Sequence, residues 1–372
     1  MHTIALFGSG KIGEAITGLL GLSGRYRIRV CDSDLARARV VASMWPNAEA
    51  HLLDLNNETA SRELLAGCAA VVSALPYFLN VQVARLAAAA GTHYFDLTED
   101  VATTRAVARL AESSSVIMMP QCGLAPGFIS IAAAHLAGLV ESIDSVKMRV
   151  GALPIYPSNR LKYNLTWSTD GLINEYGNMC ELIEGGELRQ AFPLEGYERF
   201  SLDGVEYEAF NTSGGLGTLC ETLAGRVRQL DYKTCRYPGH RDLIQFLMQE
   251  LRFNEDRETL KRVFERSIST TTQDKCVIFV EVRGHLNGRF IQKTYASTIY
   301  NTMLQDRHVS AIQLTTAAGI CAPLDLVLTG RLKHRSGMVR SEEIPLIAFL
   351  DNEFGRHYRD EKALSGIRSV EC

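Results

Sequence analysis

The sequence has almost no net charge, no closely paired cysteines and no long apolar run. Lys and Arg together number 39 against 42 for Asp and Glu, a formal net charge of −3. A chain without a strong positive field is a poor partner for nucleic acid or for an anionic membrane. No window holds 18 consecutive apolar residues, which argues against a membrane-spanning helix. These absences leave a small molecule as the expected partner.

The nine cysteines also exclude several classes of protein. They are scattered without any C-x-x-C pair, so the sequence predicts neither a metal site nor a disulfide framework. The chain starts almost directly on an apolar strand pattern, Thr3–Phe7, without the basic and apolar regions of a secretory signal. Reduced thiols and the missing signal predict a cytoplasmic protein.

The length predicts two domains, because a single core rarely grows beyond about 250 to 300 residues, and the chain has 372. Residues 1–125 alternate short apolar strands with helical patterns, which predicts an α/β domain with a doubly wound parallel sheet. Its predicted strands are Thr3–Phe7, Arg27–Cys31, Ala50–Asp54, Ala70–Ala74, His93–Asp96 and Val116–Pro120. Its predicted helices are Ile12–Leu22, Leu35–Met44, Glu58–Leu65, Val81–Ala90 and Val101–Ser113.

Residues 126–304 show a different pattern, with longer predicted strands and fewer predicted helices. We predict here a second α/β domain with a mixed sheet, for substrate binding and oligomerisation. Residues 305–372, with a helical pattern at Val309–Ala318 and an apolar segment at Ile344–Leu350, are expected to fold back onto the first domain. The predicted strands are Ser145–Gly151, Glu206–Phe210, Val227–Arg236, Cys276–Leu286 and Arg289–Thr298, the last two joined by an Asn287-Gly288 turn, and the predicted helices are Tyr237–Leu251 and Arg257–Arg266.

The clearest motif is Gly8-Ser9-Gly10-Lys11-Ile12-Gly13, which follows an apolar strand and opens an apolar-striped helix. The first glycine permits a tight turn, the second lets a pyrophosphate approach the backbone, and the third lets helix and strand pack closely. The helix N-terminus adds free N–H groups for the phosphates. An ordinary glycine-rich turn is the competing interpretation, but the strand and helix on either side favour a Rossmann domain that binds a dinucleotide.

Asp32 predicts which dinucleotide is bound. It ends the second predicted strand 24 positions after Gly8, close to the spacing of the acid that binds the ribose 2′-OH. A carboxylate there repels a 2′-phosphate, so NAD is favoured over NADP, and Arg37 and Arg39 can moderate the preference. The other predicted cofactor residues are Asp54 and Leu55 on the adenine side, and Ala74, Leu75 and Pro76 near the nicotinamide ribose.

Several segments resemble the saccharopine dehydrogenase-like family and together span roughly residues 3 to 320. They are Tyr94–Glu99, Gly123–Gly127, Arg149–Pro154, Leu161–Asn164, Glu208–Gly215 and Tyr232–His240. The resemblance implies a Rossmann domain, an inserted second α/β domain and NAD(P)-linked oxidation at a carbon that bears an amine.

One branch of that family is the most similar. Its members, the L-lysine 6-dehydrogenases, oxidise the side-chain amine carbon of L-lysine, and the resulting semialdehyde cyclises to a piperideine carboxylate. Saccharopine reductases tend to carry an aspartate before the Pro-Gly, where this chain has Ala125. The departure favours the lysine branch, although a related amino acid or polyamine remains an alternative substrate.

The chemistry implied by the resemblance requires a neutral amine, because an ammonium group cannot release hydride from its carbon. His240 follows a Pro-Gly turn and titrates in the useful range, so it is a candidate base. A structural histidine at a helix start is an equally good interpretation. Lys162 and Tyr163 are alternatives, since a desolvated lysine can act as a base.

The substrate carboxylate calls for a guanidinium group, which binds carboxylates in a bidentate manner. Arg236 is the first candidate and Arg160 the second, against the alternative of a surface ion pair. Asp96 follows the fifth strand, on the side where ligands bind in open α/β sheets. The other predicted substrate contacts are Asn164 and the pair Thr212 and Ser213, which precede a Gly-Gly that lets a backbone come close.

The favoured hypothesis is therefore an NAD-dependent amino-acid dehydrogenase that acts on a C–N bond of lysine or a close analogue. A saccharopine-type dehydrogenase or an imine reductase is the nearest alternative. A non-catalytic sensor that binds the dinucleotide is the alternative from another class. A homodimer or higher homo-oligomer is expected, because most oligomers are two-fold homodimers.

Overall fold

The computed structural model describes residues 1–361 and residue 364 of the chain. The strands are β1 (His2–Phe7), β2 (Tyr26–Asp32), β3 (Ala48–Leu52), β4 (Ala70–Ser73), β5 (His93–Asp96), β6 (Ile117–Met119), β7 (Ser142–Pro154), β8 (Cys180–Glu184), β9 (Glu187–Ala191), β10 (Glu198–Leu202), β11 (Val205–Asn211), β12 (Val227–Arg236), β13 (Asp274–Leu286), β14 (Arg289–Tyr300), β15 (Thr302–Leu304), β16 (Arg307–Val309) and β17 (Gly337–Met338).

The α-helices are α1 (Lys11–Ser23), α2 (Leu35–Ala42), α3 (Glu58–Leu65), α4 (Asn80–Ala90), α5 (Val101–Ala111), α6 (Phe128–Ala137), α7 (Thr169–Gly177), α8 (Leu219–Leu223), α9 (His240–Gln245), α10 (Arg257–Ser267), α11 (Ala311–Leu328) and α12 (Leu346–Leu350). The chain forms two compact units. One contains Met1–Phe128 and Gln313–His357, and the other contains Ile129–Ile312 and the segment that begins at Tyr358.

The first unit is built on a seven-stranded sheet in the order β17-β6-β5-β4-β1-β2-β3, in which every pair is parallel. The chain runs outward from β1 to β3 and then crosses to β4 on the other side of β1, so the order reverses between β1 and β4. Ligands bind at such a reversal, beyond the carboxyl ends of the strands. The predicted α/β class and doubly wound parallel sheet are confirmed.

Two details of this sheet differ from the predictions. The strand predicted at Ala50–Asp54 is β3, Ala48–Leu52, so Asp54 follows the strand instead of ending it. The seventh strand, β17, comes from the C-terminal part of the chain and has two residues. A strand that short has no periodicity to detect, and its pairing with β6 alone defines it.

Helix α11 is longer than the helix predicted at Val309–Ala318, and it continues to Leu328 with Pro323 inside it. By length and composition it could cross a membrane, but 78% of it is buried inside the protein, as in the core helix of a globular fold. Gly319 allows a close approach, because a Cβ there would lie 2.6 Å from the Gly123 carbonyl oxygen.

The second unit contains a mixed sheet, as predicted. The strand order is β10-β11-β12-β7-β13-β14, and β8 joins the side of β12 and pairs with β9. Strand β7 is parallel to β12 and antiparallel to β13. A core cluster gathers buried side chains of α7, α9 and α10 around Phe210 of β11, including Leu172, Ile244 and Leu260. The helix predicted at Tyr237–Leu251 begins only at His240 and passes into a π-helical turn, Phe246–Glu250.

A buried acid links three segments of the first unit. Asp325 of α11 is 2% exposed and accepts hydrogen bonds from the Tyr26 hydroxyl and, at 2.6 Å, from the Asn352 amide. The Arg25 guanidinium lies 2.8 Å from the same carboxylate. Burial and the bond to Asp325 together raise the pKa of Tyr26 above its usual range.

Replacing Asp325 by alanine should lower the free energy of unfolding of the first unit by about 3 kcal/mol, because the change leaves buried polar groups without their partner. Denaturant unfolding measures the loss. Glu49→Ala is the control, since that side chain is 63% exposed in its pair with Arg29, and such pairs contribute roughly 0 to 1 kcal/mol. Equal losses in the two variants would contradict the prediction.

Candidate active site

The loop from β1 to α1 has the conformation that its glycines permit. Gly8 has a φ of 101°, and a Cβ there would lie 2.7 Å from the carbonyl oxygen of Ala74. A Cβ on Gly13 would overlap the Gly8 carbonyl group, whereas a Cβ on Gly10 would meet none of the described atoms within 4 Å. The backbone is therefore packed closely at two glycines and faces open space at the third.

Helix α1 begins directly after Gly10, and no side chain caps its N-terminus. Gly10 is its N-cap residue and makes no capping hydrogen bond. The first N–H groups of a helix have no partners within the helix, and its dipole favours an anion there. The backbone N–H groups of Lys11, Ile12 and Gly13 thus fit a pyrophosphate beside Gly10, and the residues present fit a dinucleotide.

Asp32 ends β2 beside the same loop. Its Oδ2 accepts hydrogen bonds from the backbone N–H and the hydroxyl of Ser9, both at 2.7 Å, and its Oδ1 accepts one from the Asp34 N–H at 2.9 Å. Partial burial acts to raise the pKa of Asp32, but these hydrogen bonds outweigh it and the pKa is lowered. The carboxylate therefore stays ionised at the place predicted for a ribose hydroxyl.

The other predicted cofactor residues follow the carboxyl ends of β3 and β4. Ala74 comes directly after β4 and its carbonyl oxygen faces Gly8, with Leu75 and Pro76 next in the chain. Asp54 is exposed and accepts a hydrogen bond from the Asn56 N–H at 3.0 Å. The Leu55 carbonyl oxygen accepts one from the Gln82 amide at 2.6 Å. Their contacts with a cofactor stay predictions.

Asp96 does not have the free carboxylate that the predicted substrate contact requires. It is fully buried, and its oxygens accept hydrogen bonds from the Tyr94 hydroxyl at 2.6 Å, the Thr98 N–H at 2.9 Å and the Gln121 N–H at 3.0 Å. Burial raises the pKa of Asp96 to about 6, although these hydrogen bonds act to lower it. Asp96 holds the end of β5 in place, because three hydrogen bonds from the fold already use its carboxylate.

Two further carboxyl groups follow β5. Asp100 caps α5 by accepting a hydrogen bond from the Thr103 N–H at 2.7 Å. The pKa of Glu99 is raised by burial and, less strongly, by Asp100 and Asp96. Glu99 makes no side-chain ion pair within the described residues, and a hydrogen bond from its own backbone acts against the effect of burial.

Arg236 is the centre of a buried cluster in the second unit. It is 2% exposed; its Nε donates to the Tyr176 hydroxyl at 2.9 Å, and its Nη1 donates to the Thr234 hydroxyl at 2.6 Å and the Cys235 carbonyl oxygen at 2.9 Å. Nη2 lies 3.6 Å from a Glu175 carboxylate oxygen, beyond hydrogen-bond distance. Within the described residues Nη2 donates no hydrogen bond.

His240 is buried in the same cluster, and both of its ring nitrogens are occupied. Nδ1 lies 2.7 Å from the Leu161 carbonyl oxygen, which can only accept, so Nδ1 carries the proton. Nε2 lies 2.9 Å from the Tyr176 hydroxyl and accepts from it. Burial, with the nearby charge of Arg236, lowers the pKa of His240 to about 3. A buried histidine that is so weakly basic holds its neighbours in place, and the predicted role as catalytic base is not supported.

The two alternative bases also lack the environment that such a role requires. Lys162 is exposed and its ammonium group donates to the Pro238 carbonyl oxygen at 2.9 Å, so the expected desolvation is absent. Tyr163 is 1% exposed, accepts a hydrogen bond from Trp167 at 3.2 Å and lies against the Arg236 guanidinium, 5.1 Å from its ring centre. Burial raises the pKa of Tyr163, which disfavours the phenolate.

The remaining predicted substrate residues differ in how deeply they are buried. Arg160 is exposed. Asn164 is buried and donates to Ser269, with its Oδ1 lacking a partner among the described residues. The Thr212 hydroxyl is likewise buried and unpartnered there, and the Ser213 N–H donates to the Glu175 carbonyl oxygen at 3.2 Å. The structure thus brings the Thr212–Ser213 loop to α7.

The sequence analysis did not identify α7, which supplies Glu175 and Tyr176 to the cluster. A signal for this helix was present. Ser168 caps it by accepting a hydrogen bond from the Gly171 N–H, and Leu172, Ile173 and Tyr176 have helical spacing on its buried face. The helix has nine residues, and Gly177 and Asn178 mark its C-terminal end.

The neutral state of His240 is testable by NMR. Its C2 proton should keep a constant chemical shift between pH 5 and 8 in the folded protein, and should titrate near 6.5 in urea. The unfolded chain then binds a proton that the folded chain does not, so the free energy of unfolding falls by about 1.4 kcal/mol per pH unit from pH 6.5 toward 3 on account of this residue. A folded-state midpoint between pH 6 and 7 would contradict this.

Comparison with known proteins agrees with this geometry. Residues 4–119 match the saccharopine dehydrogenase NADP binding domain, and residues 123–355 match the saccharopine dehydrogenase C-terminal domain. The chain belongs to the saccharopine dehydrogenase family. The family consists of NAD(P)-dependent oxidoreductases that act on CH–NH donors. The family resemblance, the oxidoreductase class and the nicotinamide dinucleotide predicted from the sequence are confirmed at this level.

The named relatives are saccharopine dehydrogenases [NADP(+), L-glutamate-forming] from two yeasts. The protein from Schizosaccharomyces pombe is 26% identical over 196 residues, and that from Saccharomyces cerevisiae is 23% identical over 197. Each match covers 50% of this chain and 43% of the relative. The solved apo structure of saccharopine dehydrogenase (L-Glu forming) from Saccharomyces cerevisiae superposes with a TM-score of 0.78 at 17% identity, over 96% of both chains, which shows a shared fold.

Proposed function

We propose that this protein is an NAD-dependent amino-acid dehydrogenase that oxidises the side-chain amine carbon of L-lysine. The observation that carries the proposal is the buried pair of Arg236 and Glu175. A guanidinium with an unused edge lies 3.6 Å from a carboxylate, and no hydrogen bond joins the two. Such a pair complements the carboxylate and the ammonium of an α-amino acid, one charge each.

Charge balance supports an amino-acid headgroup over other ligands. His240 is neutral and the Glu208 carboxylate is held by the backbone N–H groups of Gly239 and Arg241, so the ion pair of the cluster consists of one guanidinium and one carboxylate. A zwitterion adds one charge of each sign and leaves no buried ion uncompensated, whereas a diamine or a keto acid adds charge of a single sign. The substrate carboxylate would accept hydrogen bonds from Nη2 of Arg236, and the ammonium would donate to Glu175.

The chain's own residues then bind and orient the substrate. Tyr176 and Thr234 hold Nε and Nη1 of Arg236, so that the guanidinium presents its Nη2 edge. Bound NAD supplies the acceptor for the hydride removed from the amine carbon. The choice of lysine rests on the sequence resemblance and on Ala125, where an acidic residue is typical of saccharopine reductases.

Saccharopine oxidation with release of glutamate is the second candidate, and the names of the two yeast relatives favour it. Both reactions oxidise a C–N bond and share the amino-acid headgroup. An assay that compares L-lysine with saccharopine at equal concentration distinguishes them. NAD binding without turnover of either compound would instead support the non-catalytic sensor.

A set of three amines tests the headgroup. Formation of NADH should be fastest with L-lysine, because 6-aminohexanoate lacks the α-ammonium and cadaverine lacks the carboxylate. Glu175→Gln should reduce the preference in kcat/KM for lysine over 6-aminohexanoate by at least about tenfold, since it removes the charge that binds the ammonium. Asp170→Asn, on an exposed side chain of the same helix, is the control. Equal rates with all three amines would contradict the proposal.

The preference for NAD is proposed from Asp32 and is tested separately. Asp32→Ala removes both the acceptor for a ribose hydroxyl and the charge that repels a 2′-phosphate, so the ratio of kcat/KM for NAD to that for NADP should fall by about tenfold or more. Asp34→Asn is the control, because it removes a charge two residues away and keeps an oxygen that can cap α2. An equal change in both variants would mean that only the overall charge matters.

A cytoplasmic location and a homodimer complete the proposal. The eight cysteines within the described residues are all free and buried, which supports a reducing compartment. The homodimer rests on the frequency of two-fold assemblies among oligomers.

A further inference from the structure

Glu208 on β11 lies opposite Arg236 on β12, yet these two opposite charges form no ion pair within the described part of the chain. The two residues face each other in the antiparallel register, and they are 1% and 2% exposed. Arg236 has its ion pair with Glu175 instead. Because a buried carboxylate needs partners, the position of Glu208 raises the question of what it binds.

Both carboxylate oxygens of Glu208 accept hydrogen bonds from the backbone where α9 begins. Oε2 accepts from the Gly239 N–H at 2.7 Å, and Oε1 accepts from the Arg241 N–H at 2.6 Å. Hydrogen bonds to a charged acceptor are roughly twice as strong as neutral ones. Gly239 has a φ of 98°, a conformation that favours glycine. The carboxylate thus clamps a turn of defined shape between β12 and α9.

The clamped turn contains His240, and hydrogen bonds through Tyr176 link His240 to Arg236. The imidazole is anchored by its Nδ1–H on the Leu161 carbonyl oxygen and accepts the Tyr176 hydroxyl proton at Nε2. The Tyr176 oxygen in turn accepts a hydrogen bond from Nε of Arg236. A shift of the turn therefore moves the imidazole, then the phenol, and then the guanidinium.

We propose that Glu208 is a positioning residue that holds the Arg236 guanidinium in place for a substrate carboxylate. It acts through the turn at Gly239 and through the side chains of His240 and Tyr176. These hydrogen bonds connect the segments Glu208–Gly215 and Tyr232–His240, because Glu208 of the first segment clamps the turn at the end of the second. The identity of the ligand rests on the proposed function, whereas the clamp does not.

Glu208→Gln tests the role in catalysis. The amide NH2 replaces one acceptor oxygen and faces a backbone N–H, so one of the two clamping bonds is lost. The KM for the amino acid should rise about tenfold, while kcat and the KM for NAD change by less than about twofold, because the loss falls on headgroup binding. Glu206→Gln is the matched control, an exposed glutamate two positions earlier on the same strand, and it should change neither constant.

NMR of the His240 ring tests the clamp without turnover. The ring nitrogens of the unaltered protein should show the single tautomer with the proton on Nδ1. In Glu208→Gln a mixture of tautomers should appear, because the imidazole is no longer held between Leu161 and Tyr176. If the tautomers mix but no amino acid is oxidised by the unaltered protein, the proposed function fails and the clamp stands. An unchanged tautomer in folded Glu208→Gln overturns the inference.

Gly239→Ala provides a second route in case Glu208→Gln does not fold. This change leaves the carboxylate intact and strains the turn, since alanine disfavours a φ of 98°. The same pattern is expected, with mixed tautomers at His240 and a raised KM for the amino acid at constant kcat. A folded Gly239→Ala protein with an unchanged tautomer and an unchanged KM also overturns the inference.

Discussion

The buried charge of Arg236 is the constraint on which the candidate substrate site depends. A guanidinium that is removed from water must find a partner for its N–H groups and an opposite charge. Tyr176, Thr234 and the Cys235 carbonyl oxygen take three of the five N–H groups, and Glu175 supplies the charge. The buried ion thus connects α7 with β12, and Nη2 donates no hydrogen bond within the part of the chain that the structure describes.

A different constraint acts at the candidate cofactor site, where backbone segments must pack closely against one another. Gly8 and Gly13 allow the loop, the end of β4 and the start of α1 to pack without side chains between them. The helix start is then bare, and the ionised Asp32 stands at the end of the neighbouring strand. The two candidate sites differ in kind: the first unit has free backbone N–H groups at a helix start, and the second has a buried pair of opposite side-chain charges.

Much of the cofactor site is predictable from the sequence, because it is local. The glycines, the strand before them and the helix after them lie within a short stretch, and Asp32 follows one βα unit later. The substrate side is less predictable. Arg236 has a suitable side chain in buried, polar surroundings. Lys162 is exposed, and Asp96 is fully buried and accepts three hydrogen bonds from the fold. Glu175 and Glu208 carry no local signal of their importance.

The sequence by itself determined the alternation of strands and helices, the dinucleotide motif and the family, since these depend on periodicity and on short segments. The tertiary structure decided which polar groups are buried together and what they bind. Leu161 and His240 are 79 positions apart, and Glu208 and Gly239 are 31 apart. Burial, with the nearby charge of Arg236, lowers the pKa of His240 to about 3 against the opposing effect of the hydrogen bond to Leu161. Residue type alone cannot reveal an environment that only folding creates.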